Sequence, residues 1–247
     1  MAQKNPKDSG EGHIRHVENN LIEVLKVSQP YPHIFSDNFL SSQHRSVLRD
    51  SFVTEKFSTA PGGCPVSNIT AHSIPALRAF RYDFIESFLI PKLDSVFNQE
   101  VVAKYNELSN YYTSVKKLDR PEIGFLHLTR NHTGTTINSH RDDDRASYQF
   151  VIYLGDDQDE SVETTELIWV DNIEELERTA DYSRLRLLSY GSTRNGILSF
   201  ANQPNSYHCL SKPTKAVRFT IAGSVIHYKI SGSKGTVSQL TTGIVSG

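Results

Sequence analysis

Two histidines and a carboxylate carry the first chemical signal. His140 and Asp142 sit in the run Asn138-Ser139-His140-Arg141-Asp142. Side chains two apart on an extended strand point to the same side, so an imidazole and a carboxylate converge there. A second histidine, His208, lies far downstream in a run that reads as another strand. Two imidazoles and one carboxylate on one face form the donor set of non-haem iron(II) centres, which keep open positions for exogenous ligands. Those positions could take a bidentate keto acid and still admit O2. With 10 histidines in the chain, an H-x-D pair arises easily by chance and is a weak signal alone.

Arg218 strengthens it. In Val217-Arg218-Phe219-Thr220-Ile221-Ala222-Gly223, alternation puts Arg218, Thr220 and Ala222 on one face and Val217, Phe219 and Ile221 on the other. The apolar face suits packing against helices. The other face offers a guanidinium, a hydroxyl and a methyl to a barrel interior. A lone charge there is costly unless an anion meets it, and a guanidinium matches a carboxylate in a two-point fork. The distal carboxylate of a 2-oxo diacid would fill that role; an internal salt bridge to Asp or Glu is the alternative.

Such residues need a scaffold, and the chain has two textures. From Asp37 to about Asp119 the periodicity is helical. Phe39, Val47, Leu48 and Phe52 share a face behind Ser36 or Asp37 as a cap, and Leu77, Phe80, Phe84, Phe88 and Leu89 follow. Pro91 can begin a further helix, and Val101–Tyr112 extends the layer. From Glu122 onward the texture is that of strands, predicted at Ile123–Thr129, Ser147–Leu154, Thr165–Val170, Gly196–Phe200, Tyr207–Leu210 and Val217–Tyr228. Turn signals separate them, and Asn172–Leu188 reads as a helical insertion. The order predicts an α+β fold: an N-terminal helical layer (37–119) on a double-stranded β-helix, a cupin-like jelly roll (122–228). One domain is expected over 21–230, with a mobile polar arm at 1–20 and a flexible Ser/Gly/Thr-rich tail at 231–247.

Composition narrows the partners. A net charge of -2 and a pI near 6.5 give no basic footprint, so nucleic acid is not expected. No apolar run is long enough for a transmembrane helix, and the first twenty residues lack the apolar core of a signal peptide. Cys64 and Cys209 make neither a disulfide framework nor a zinc knuckle. A reducing cytoplasm fits. His72 and His132 read as surface residues, Trp169 as core or cavity wall, and Cys209 as turned away from its neighbour His208. Of Tyr148 and Gln149, one should line the pocket.

Over roughly 122–228 the strands, the H-x-D pair, the distant His and the following Arg resemble the 2-oxoglutarate/iron(II) oxygenase superfamily. The resemblance implies Fe(II) held by His140, Asp142 and His208, 2-oxoglutarate held by Arg218 and Thr220, and O2 as second co-substrate. It also implies oxidative decarboxylation coupled to hydroxylation, yielding an alcohol, succinate and carbon dioxide. The chain's size, its helical front and the run Asp142-Asp143-Asp144 resemble the carrier-free amino-acid halogenases and their hydroxylase relatives, some acting on free lysine. In those halogenases a glycine replaces the metal carboxylate, whereas Asp142 stands here, which points to the hydroxylase branch.

That resemblance implies that Glu122 and Asp143 hold a substrate's side-chain ammonium. It assigns the substrate carboxylate to Arg78, with Arg81 next. Strict alternation turns Asp143 away from Asp142, so the backbone must bend for Asp143 to enter the site. The expected partner is a small amino acid, most of all lysine. Two rivals stand beside it. Hydroxylation of a residue within a peptide, as in prolyl hydroxylases, would need an open groove. The other is a jelly-roll binding module without catalysis. Residues 156–163 and 231–247 are candidate lids.

Overall fold

The computed structural model describes residues 26–54, 58–59, 65–68, 78–155, 161–170 and 185–234. The candidate lid at 156–160, most of the expected insertion and the segments 1–25 and 235–247 lie outside them, as do His72 and Cys64.

A short strand β1 (His33–Asp37) and helix α1 (Ser42–Thr54) come first, then strands β2 (Ser58–Thr59) and β3 (Pro65–Asn68). Three helical segments follow, α2 (Phe80–Leu89), α3 (Ile90–Val96) and α4 (Asn98–Tyr111); α2 runs straight into α3, and Phe97, outside helical angles, separates α3 from α4. In α2 the turns are π-wide, and the amide of Ile90 donates to the carbonyl of Ile85, five residues back. A proline ring normally clashes with the carbonyl four residues before it, and Pro91 stands at the start of α3. The wider turn relieves that clash, so Pro91 begins α3 as expected while the winding from α2 continues.

The strands are β4 (Tyr112–Asn131), β5 (Ile137–His140), β6 (Tyr148–Leu154), β7 (Val162–Glu163), β8 (Glu166–Ile168), β9 (Leu187–Leu188), β10 (Ser192–Thr193), β11 (Asn195–Ala201), β12 (His208–Leu210) and β13 (Arg218–Ser233). They form a seven-stranded sheet ordered β1-β11-β6-β13-β4-β3-β2, a four-stranded sheet ordered β5-β12-β8-β9, and the pair β10-β7. Every pairing is antiparallel. Two antiparallel sheets face to face are the jelly-roll arrangement.

The large sheet has two buried faces. Leu126, Leu128, Phe150, Ile152 and Ile221 pack with Phe80, Phe84, Phe88, Leu93 and Phe97 of the helices. Tyr153, Leu198 and Phe200 instead join Val162, Leu167 and Tyr31 in the space between the sheets. A Cβ at Gly223 would run into the ring of Phe150, so glycine lets this core close over β13.

Two boundaries differ from expectation. The helical texture was expected to reach Asp119, but β4 already begins at Tyr112. Its first half is a ribbon with the end of β13, where Val115 faces Ile230 and Lys117 faces Tyr228. The polar run there is a solvated strand pair rather than a helix. For the same reason the expected tail is paired as far as Ser233. At the insertion, Leu187 and Leu188 form strand β9 against β8. No helix among the described residues is long and apolar enough to cross a membrane.

Candidate metal centre and anion pocket

His140 ends β5 and His208 begins β12, and the two are direct partners in that ladder. The pairing stands their rings 4.3 Å apart between centroids. Asp142 closes the group: its Oδ1 is 3.7 Å from Nε2 of His140, and its Oδ2 is 3.4 Å from Nε2 of His208. One ligand atom from each residue lies within 4.8 Å of the others.

Backbone carbonyls set the tautomers. Nδ1 of His140 lies 2.8 Å from the carbonyl of Asn138, and Nδ1 of His208 lies 3.4 Å from that of Ser206. A proton held at Nδ1 leaves the Nε2 lone pair facing Asp142, which is how metal-bound histidines are oriented. Burial pushes the pKa of His140 down and the neighbouring His208 adds to this, while the Asp142 carboxylate opposes them. Burial opposes ionisation of Asp142, yet the imidazoles and the Gln149 carboxamide outweigh it and bring its pKa to about 2. An ionised carboxylate beside two imidazole nitrogens favours a cation between them. Two nitrogens and one oxygen, with His140 and Asp142 only half-buried, fit a divalent ion with positions left open.

The loop bearing Asp142 is held by a residue that no motif or spacing singles out. Asn202, fully buried, donates from Nδ2 to the carbonyls of Asp143 at 2.6 Å and Ala146 at 3.2 Å. Its Oδ1 accepts from the Ser206 hydroxyl at 3.0 Å. One carboxamide thus ties the H-x-D loop to the segment before His208.

The three consecutive aspartates have three fates. Asp142 faces the histidines. Asp143 turns to Arg145, accepting from its backbone amide and from Nε at 2.9 Å each. Asp144 pairs with Arg141 at 2.5 Å. The bend needed to bring Asp143 beside Asp142 is replaced by a turn that Asp143 itself caps. The other expected substrate residues are not gathered with it. Glu122 is exposed opposite Ile226, Arg78 is exposed ahead of α2, and Arg81 is paired with Glu86 at 2.7 Å.

Arg218 lies deep between the sheets, 3% exposed. Its Nε donates to the carbonyl of Glu163 at 3.0 Å and its Nη2 to the Thr165 hydroxyl at 2.9 Å. Its guanidinium carbon stands 5.4 Å from the centre of the Tyr153 ring. Among the described residues no carboxylate lies within ion-pair distance of it, so the internal salt bridge weighed above has no partner there. Polar groups surround it. The hydroxyls of Thr220 and Thr129 are hydrogen-bonded across the ladder. The Tyr153 hydroxyl accepts from the amide of Thr165 at 2.8 Å, leaving its own proton to donate. Asn131, directly opposite Arg218 in the ladder, is buried with neither carboxamide atom partnered. An unpaired buried cation beside orphaned polar atoms is an anion pocket in chemical character.

No protein-family model matches the chain, and no curated protein matches it. Solved structures do. A prolyl-4-hydroxylase of Pseudomonas putida superposes with a TM-score of 0.53 at 13% identity, covering 87% of this chain and 98% of that one. An oxidoreductase of the 2OG-Fe(II) oxygenase family from Burkholderia pseudomallei gives 0.52 at 8% identity, covering 92% of each. The chain has the fold of the 2-oxoglutarate/iron(II) oxygenases.

Within this oxygenase fold the remaining residues fall into place. Cys209 is buried on the far side of β12, its thiol 3.8 Å from Glu166, and burial followed by that carboxylate pushes its pKa up to about 12. His132 is exposed. Trp169 is half-buried under the guanidinium of Arg186, 4.0 Å from the ring centre. Tyr148 faces the helices, donating to Asp94 at 2.6 Å, whereas Gln149 stands on the side of Asp142. Tyr153, Asn131 and Asn202 were not marked by sequence, and Gln149 only as one of two candidates. Each is a common residue in a strand or turn, distinguished only by what lies across from it.

Proposed function

We propose that this chain is an iron(II)- and 2-oxoglutarate-dependent dioxygenase that hydroxylates an aliphatic carbon of an amino-acid side chain. The observation that carries this reading is the buried Arg218, without an acidic partner among the described residues, between the same two sheets as the His140–Asp142–His208 group. His140, Asp142 and His208 would hold Fe(II), which when bound activates O2 for oxidation of the co-substrate and of a C–H bond. Arg218, with Thr220 and Thr165 beside it, would take the distal carboxylate of 2-oxoglutarate in a charge-assisted fork. The site's other task is to orient the substrate carbon and limit water.

Free L-lysine is the first substrate to test, since Asp143 follows the metal carboxylate directly and adds a second negative charge there. Asp143 already carries Arg145, whose side chain is 54% exposed, so a substrate ammonium would exchange with that guanidinium. A second reading, a residue within a peptide, is favoured by the same ion pair. With Asp143 and Arg81 committed internally, recognition through neutral groups needs neither. The Pseudomonas putida neighbour is a prolyl-4-hydroxylase.

Succinate formation with Fe(II) and 2-oxoglutarate, alone and with lysine, ornithine, arginine or proline-containing peptides, tests both. Mass spectrometry should find one added oxygen on the true substrate. Under the lysine reading, Arg145→Ala tightens lysine use and Asp143→Asn weakens it. Turnover with a peptide and none with basic amino acids selects the second reading. No succinate under any condition rejects the dioxygenase.

A further inference from the structure

We infer that Gln149 is a positioning residue of the metal centre, its carboxamide holding the Asp142 carboxylate so that one oxygen faces the ion. The inference rests on the reading of His140, Asp142 and His208 as metal ligands. Gln149 lies on β6, the strand between β11 and β13, and its ladder partners are Phe200 and Ser224. The ring of Phe200 stands 4.9 Å from that of His208, which places the Phe200–Gln149 pair directly under the second histidine. The Gln149 side chain is 3% exposed, and its Nε2 is buried with no hydrogen-bond partner. The backbone beneath it is fixed, since Ser199 donates its hydroxyl to the Gln149 carbonyl at 2.6 Å.

A buried N–H without an acceptor costs on the order of 1–3 kcal/mol, so a carboxamide kept in this place calls for a partner. Asp142 is the one at hand: its Oδ2 stands 3.4 Å from Nε2 of His208, whose ring packs on the Phe200 that pairs with Gln149. The two oxygens of Asp142 now divide between His140 and His208. An ion bound by both Nε2 atoms would draw one oxygen to itself and free the other for Nε2 of Gln149. A carboxylate tethered this way binds through one oxygen, which keeps the opposite side of the ion free for two further ligands. Carboxylate ligands of metals are commonly held by such a donor, and losing it typically weakens metal binding by roughly 10–100-fold.

The test uses the full chain, with Co(II) titrated anaerobically and no co-substrate present, reading the dissociation constant and the visible Co(II) spectrum. Circular dichroism of the metal-free protein checks the fold. Gln149→Met keeps length and volume but removes the donor. The expected result is Co(II) binding weakened by roughly 10–100-fold, with an altered spectrum as Asp142 turns to bind through both oxygens. Unchanged affinity and spectrum in folded Gln149→Met overturn the inference. Should Gln149→Met not fold, Gln149→Glu keeps shape and polarity and sets a second carboxyl against Asp142. An altered spectrum then supports the contact, and an unaltered one overturns it. A purely packing role would lower stability and leave the spectrum alone. Co(II) binding that survives His208→Ala in an otherwise unchanged chain removes the metal reading itself, whatever Gln149 does.

Discussion

Asn202 donates to the backbone carbonyl of Asp143 at 2.6 Å, one residue past the carboxylate that faces both histidines. Its other contacts reach Ala146 and Ser206, so this side chain sets the distance between two segments that each supply a metal ligand. Asn202→Ala should leave several buried groups unpaired, at about 1–3 kcal/mol each. We expect a fall in Tm of several degrees and weaker Co(II) binding than in wild type. A variant that melts lower but binds Co(II) normally would confine Asn202 to stability.

Arg218 is a buried charge without an acid among the described residues, which separates two outcomes that usually travel together. Arg218→Met should weaken 2-oxoglutarate binding by on the order of 2–5 kcal/mol. The metal-free protein should melt within a few degrees of wild type, because removing an uncompensated charge offsets the loss of two hydrogen bonds. Calorimetric titration and thermal melts check this. A large loss of stability with 2-oxoglutarate binding intact would mean that Arg218 serves the fold instead.

The pH dependence of the metal-free protein follows from Asp142. Its folded-state pKa of about 2 lies below the ordinary 3.8. The ionised form therefore adds stability that is fully present above roughly pH 4 and is lost as pH falls towards 2. Asp142→Asn lacks that contribution at every pH. Urea denaturation of both proteins should show a stability difference that shrinks across that window. A difference independent of pH would count against an ionised Asp142 stabilised by the imidazoles.

Gly223→Ala tests the floor of the core. The added methyl meets the Phe150 ring, and overpacking of this kind costs typically about 1–3 kcal/mol, or about 2–4 °C in Tm per kcal/mol at this size. Phe150→Leu should recover part of the loss when combined with it. Independent, additive losses would show that the two positions do not share the space.

What could be read from sequence was what strand geometry makes local. Alternation alone sets Arg218 and Thr220 on one face of β13, and the same rule turns Cys209 away from His208. The jelly-roll order of strands was legible for the same reason, through turn signals and apolar runs. The ribbon of Tyr112–Arg120 was not, because Lys116, Lys117 and Asp119 are solvated on both faces and carry no period. Nor was Asn202, whose role depends on backbone carbonyls of a loop far away in the chain. Asp143 shows the limit in the other direction: alternation already turned it from Asp142, and only the family resemblance argued for the site.

The pairing of His140 with His208 has a consequence for how the molecule assembles. These ligands meet only when β5 and β12 form a ladder between distant parts of the chain, and such non-local contacts close late in folding. An ion arriving early would find at most the H-x-D pair. It should therefore bind the finished sheets rather than guide their formation, slowing unfolding while leaving the refolding rate almost untouched.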